Sequence, residues 1–166
     1  MGLDAIGTQI VTILSAVSGV ENVHDFERWA KDWTQLLAQY KTSTGKLKGW
    51  QVFGYLAGQR RMTVGEIERA YIYTLRTIYA INDEDESDKT FRLLLESVSD
   101  AFLPEHPANG DGVWNLNGTC ETIEPDWGPM AGEVGLSWAE PSPRLFGSVL
   151  CHYAQGKLCA ITRITG

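Results

Sequence analysis

The chain has 166 residues, 43% hydrophobic and 21% charged, which excludes wholesale disorder and suits one globular domain with a real core. Its formal net charge of -7 repels phosphate and excludes nucleic-acid binding by charge attraction, yet suits a channel through which DNA must slide. No apolar run approaches the ~20 residues of a membrane span, the Met-Gly-Leu-Asp start lacks a basic region, and an odd set of cysteines (Cys120, Cys151, Cys159) fits a reducing cytoplasm.

A first helix is predicted over Asp4–Ser18, where Ile6, Ile10, Ile13, Leu14 and Val17 make one stripe and Gly19 supplies a stop. A second is predicted from a cap at Asp25 to Tyr40, with Trp29, Trp33, Leu36, Leu37 and Tyr40 as its buried face. Thr42–Gly45 reads as a turn, Leu47–Ala57 as a strand, and Gly58–Gly65 as a loop carrying Arg60 and Arg61. From Ile67 to Ile81 the chain has no Gly, Pro, Asn or Asp and is rich in β-branched and aromatic types, which predicts a long strand. At ~3.3 Å per residue it spans roughly 50 Å, more than the ~40 Å width of a domain this size. Such a strand must curve, break at a bulge or project, and projection offers its backbone to another chain.

A third helix follows over Ser87–Leu103, with Phe91, Leu94, Leu95, Val98 and Phe102 as its stripe and the acidic run Asp83, Glu84, Asp85, Glu86 before it. Residues 104–118 form a long Gly-, Asn- and Pro-rich loop around Trp114. Strands are predicted over Thr119–Glu124, Glu133–Ala139, Leu145–Ala154 and Lys157–Ile164, with Gln155-Gly156 as a hairpin turn. The fold class is α+β: a single domain over 1–166, its mainly antiparallel sheet carrying a long β-arm and packed against amphipathic helices.

Little in the sequence points to chemistry, and no catalytic, cofactor-binding or metal-binding residue is predicted. In the hairpin register His152 lies opposite Cys159, and Cys151 and Cys159 face opposite ways, so they share neither a metal nor a disulfide. His24, Asp25 and Glu27 read as a helix start with surface charge. The run Asp83–Asp88 lacks the alternating ligands and central Gly of a calcium loop. No phosphate-cradling or nucleophile-elbow motif is present. Arg60-Arg61 reads either as a solvated loop tip or as a partner for a neighbour's acidic loop. Trp29, Trp33 and Trp50 take core positions by periodicity. Trp114, Trp127 and Trp138 lie in or near irregular segments and, with Arg60, Arg61, Tyr71 and Tyr73, are the candidate subunit or partner interface.

The block G-V-E-N-V-H-D-F-E-R-W-A-K-D-W-T-Q-L-L-A-Q-Y-K, then G-K-L-K-G-W-Q-V-F-G-Y, resembles the tail-terminator and head-to-tail joining proteins of tailed phages. The closing F-G-S-V-L-C-H-Y-A-Q-G-K-L is similar to their final hairpin. The resemblance implies a structural protein of the virion neck, assembled in the host cytoplasm and not an enzyme. It implies a homo-oligomeric ring, commonly a hexamer, that caps the tail tube protein, stops its polymerisation and docks a head connector or stopper. DNA would pass through the lumen without specific binding, and no cofactor or membrane is implied. Asp83, Glu84, Asp85 and Glu86 are then candidates for an acidic lumen or rim. Another connector subunit, a soluble binding module and an enzyme stand as alternatives.

Overall fold

The computed structural model describes residues 2–82, 86–103 and 116–165. Helix α1 (Leu3–Ala16) buries Ile6, Ile10, Ile13 and Leu14 of the predicted stripe; Val17, its last member, is the extended C-cap, and the chain turns back at Gly19, whose φ is +89°. Strand β1 (Val23–His24) then lies parallel beside Trp50 and Gln51. Helix α2 (Trp33–Tyr40) starts at Trp33, not near Asp25. Its cap is Asp32, which accepts from the Gln35 backbone N–H at 2.9 Å, while Gln35 Oε1 accepts from Lys31 N–H at 2.9 Å. This D-x-x-Q exchange fixes the start, and pairing of Val23–His24 keeps the preceding chain extended. Trp29 therefore lies off the helix and is 74% exposed, not part of a buried face.

Three long strands form the body of the sheet: β2 (Lys48–Thr63), β3 (Glu66–Ala80) and β6 (Val149–Thr165). Residues 58–63, predicted as loop, continue β2 through two bulges to a turn at Val64-Gly65, where Gly65 has φ +88°. Between the last two come helix α3 (Ser87–Ala101), β4 (Leu136–Trp138) and β5 (Ser142–Phe146). The fold is α+β: among the described residues, three helices and a six-strand, mostly antiparallel sheet.

The predicted length of β3 holds, but its predicted exposure does not. β2 pairs with it from Lys48↔Tyr79 to Thr63↔Glu66, and β6 pairs along its other side from Ala80↔Cys151 to Glu66↔Thr165. The strand expected to seek a second chain is the centre of the sheet and is completed within its own molecule. β6 provides the needed length because Gln155-Gly156 does not turn. A Cβ at Gly156 would lie 2.9 Å from Leu136 Cδ1 and from Trp138 Cε3, so this glycine serves close packing. The hairpin turn is instead Gly147-Ser148, between β5 and β6, with Gly147 at φ +61°. The strand predicted at Thr119–Glu124 is a single bridge, Thr122↔Ile161.

One face of the sheet, with Trp50, Val52, Tyr71, Tyr73, Leu75 and Leu158, packs on α1 and α3. The other face carries two apolar patches. Ile78, Cys151 and Tyr153 lie under α2, while Ala70, Ile72, Cys159 and Ile161 lie under Trp127 and Met130. Segment 116–131 wraps round the β6 edge to reach both faces: Leu116, Cys120 and Ile123 enter the first core, Trp127 and Met130 the last patch.

Candidate interaction surface

The two borders of the sheet differ. The outer side of β6 is occupied by β5, β4 and the Thr122 bridge up to Ile161. The outer side of β2 is covered by β1 only at Trp50 and Gln51. From Val52 to Thr63 it has no strand partner on that side among the described residues.

The orientation of its backbone follows from one bond. Trp50 N–H donates to Asn22 O at 3.1 Å, away from β3. By strand alternation Val52, Gly54 and Leu56 also turn their N–H and C=O outward, whereas Phe53 and Tyr55 bond β3. Side chains along this border are apolar and exposed: Tyr55 at 57%, Leu56 at 48%, Met62 and Val64. Beyond Leu56 the bulges at Leu56/Gly58 and Arg61/Thr63, together with Arg60 and Arg61, blunt the tip as edge strands commonly are. Val52 is itself buried at 1% exposure, so the stretch that lacks such protection is Gly54–Leu56. Asp4, Asp25 and Glu27 flank it around a hollow of about 290 Å³, so a complementary strand would be neutral or basic.

Arg60 is not free for a neighbour's carboxylates. Its Nε donates to Glu68 at 2.7 Å, its Nη2 to Asp126 at 2.9 Å, and its guanidinium lies 5.0 Å over the Trp127 ring. Arg163 meets Glu68 from the other side at 3.2 Å, along with Glu66 and Glu121 at 3.1 Å. The network pins segment 121–127 to the ribbon tip. Trp127 is thus half-buried, packed on the patch of Ala70, Ile72, Cys159 and Ile161. Arg61 is exposed on β2, opposite Ile67, and makes no ion pair among the described residues.

Tyr71 and Tyr73 are core residues, 4% and 2% exposed, so a folded subunit has neither to present. Tyr73 Oη–H donates to Leu3 O and ties the start of α1 to β3; burial pushes its pKa up. Trp138 packs edge-on to Trp50 and its Nε1–H donates to Ser99 Oγ at 2.7 Å, which fixes it within this molecule. Apolar residues on both faces of the long strand point to cover over its middle, and the cover on Tyr71 and Tyr73 comes from this molecule's own helices, not from a neighbour. Trp114, Asp83, Glu84 and Asp85 lie outside the described residues. Glu86 stands at the start of α3, exposed, 2.9 Å from Lys89.

His152 lies opposite Tyr79, not Cys159, and its Nε2 is 3.0 Å from Ser87 Oγ, which also accepts from Asn82 N–H. The pair closes the start of α3 onto β6, with the imidazole stacked on Phe91 at 5.1 Å. Cys151 and Cys159 share a face of one continuous strand, contrary to the hairpin register, and stand roughly 26 Å apart along it. Burial pushes the thiols of Cys120, Cys151 and Cys159 up to about 11. Among the described residues no group of three His, Cys, Asp or Glu converges as a metal site, and no helix is long and apolar enough to cross a membrane.

No known family model matches the sequence, and no curated protein matches it.

Proposed function

We propose that this chain is a structural assembly subunit of the tail-terminator kind. Copies close into a ring, commonly a hexamer, that caps a tail tube, halts its polymerisation and docks a head connector. DNA passes through the lumen without specific binding. The observation that carries the proposal is the open border of β2, with outward backbone groups at Gly54 and Leu56 and exposed Tyr55 and Leu56 beside them. An unprotected edge of this kind pairs with another chain at little cost. If it meets a different surface on the neighbour, the contact is head-to-tail, and a head-to-tail contact that closes is a ring. The likeness of residues 20–57 and of the closing strand to phage neck proteins supports the same reading. Under it the acidic run that ends at Glu86 faces the lumen or its rim.

Electron microscopy of the purified protein, alone and mixed with tail tubes, tests this. Rings with a central channel, and density capping one end of each tube, are the expected result. Density on the head side of the neck would make the chain a connector subunit instead. Particles that stay single at every concentration and ignore tubes would overturn the proposal.

A further inference from the structure

A pocket of about 390 Å³ opens on the second face of the sheet, between residues 28–30, α2 and the β5–β6 hairpin. Trp29, Leu36, Tyr40, Phe146 and Tyr153 wall it, and Gly49 and Ile78 lie at its base. Gly49 has no room for a side chain, because the Tyr40 ring lies directly over it. Three arginines, Arg28, Arg76 and Arg144, are among the lining residues and no acidic residue is; the Arg28 guanidinium itself lies 5.3 Å over the Phe26 ring at the pocket's border.

The charges are unevenly answered. Arg76 is paired with Glu27 at 2.9 Å. Arg28 has a neutral partner: its Nη1 donates to His24 Nδ1 at 3.2 Å, while His24 Nε2–H donates to Gln39 O at 3.1 Å. That exchange holds the imidazole in one neutral tautomer, and burial pushes its pKa down in agreement. Arg144 makes no hydrogen bond or ion pair among the described residues; its guanidinium lies 3.7 Å over the Tyr153 ring. Of the three arginines only Arg76 has a carboxylate partner, in a chain whose acidic residues outnumber its basic ones 21 to 14. The local excess runs against the charge of the whole molecule.

We propose that this pocket binds a small anion: a carboxylate or phosphate carried on an aromatic or apolar body. The volume is in the range of small-molecule sites, roughly 300–1,000 Å³. A guanidinium fork matches either anion through paired N–H donors. The ring walls receive the body beside the charge pair. Neither half of the ligand suffices alone, since an inorganic anion leaves the walls wet and a neutral ring leaves the guanidiniums unanswered. The proposal does not rest on the assembly reading.

Amide-detected NMR titration of the full chain provides the test, with benzoate, phenyl phosphate, inorganic phosphate and benzyl alcohol as probes. Benzoate and phenyl phosphate are expected to shift amides lining the pocket saturably, with dissociation constants on the order of 1 mM for ligands this small. Inorganic phosphate and benzyl alcohol bind at least about tenfold more weakly. The stronger of the two aryl anions identifies carboxylate or phosphate as the preferred head. Arg144→Gln, at an exposed position that leaves the fold intact, weakens aryl-anion binding by about tenfold, and Arg28→Gln does the same. Absence of saturable shifts up to ~10 mM, equal binding of benzyl alcohol, or undiminished binding by both variants overturns the proposal.

Discussion

Glu68 is 5% exposed and sits between Arg60 and Arg163 at the ribbon tip. Burying its carboxylate is tolerable only because both guanidiniums meet it. Both arginines keep a third or more of their side chains in water, so the pairs are partly screened. Glu68→Ala is therefore expected to cost about 1–2 kcal/mol rather than the full cost of breaking a buried pair. It should also release segment 121–127, seen as faster amide exchange there. The thiols give a pH prediction with a definite sign. Unfolded cysteine loses its proton near pH 9, whereas all three buried thiols hold theirs until about 11. Their contribution is intact below pH 9 and is lost as pH rises toward 11, at up to ~1.4 kcal/mol per pH unit for each thiol. Tyr40 and Tyr73, also pushed up by burial, act in the same direction at still higher pH. Urea midpoints measured at pH 8 and pH 10 check this: a flat profile refutes it. At pH 8 a thiol reagent should leave the native chain unmodified and react after unfolding.

At the scale of elements, β6 depends on one glycine. Trp138 and Leu136 lie where the Cβ of any residue at 156 would stand, 2.9 Å away. Gly156→Ala must push the indole aside and stretch its 2.7 Å bond to Ser99. The expected cost is about 1–3 kcal/mol, read as a lower denaturation midpoint with altered tryptophan fluorescence. Gly156 also shows why the hairpin could not be placed from sequence. A Gln-Gly pair has the same composition whether the chain turns or another side chain lies over it. The start of α2, expected near Asp25, was misplaced although D-x-x-Q at Asp32 is the stronger signal. The stripe of α1 and the length of β3 were read correctly because each is a local pattern within one element. Which strand lies in the centre is not local. It depends on whether β2 and β6 grow to match β3, so the open edge passed to β2. The arginine pocket was illegible for the same reason: Arg28, Arg76 and Arg144 meet only through sheet register and the hairpin.

For the whole molecule, the open border predicts how copies meet. Outward amides of Gly54 and Leu56 should exchange rapidly in dilute protein, while those of Phe53 and Tyr55, bonded to β3, stay protected. Assembly should protect the first set and leave the second unchanged. Leu56→Pro removes one outward donor at an edge position where proline is tolerated, and Tyr55→Glu places charge on the exposed flank without touching the core. Both should weaken association at least about tenfold, measured by sedimentation, and lower monomer stability by less than about 1 kcal/mol, as surface changes do. The size of the assembly then separates two geometries. β2 pairing with β2 is two-fold and stops at a dimer, which would contradict a ring. β2 meeting another surface, such as the outer side of β5 where Pro143 limits the donors, continues from copy to copy until it closes. Association untouched by either substitution, with Gly54 and Leu56 still exchanging in the assembled state, would place the contact elsewhere and remove the support that the β2 edge gives to a ring.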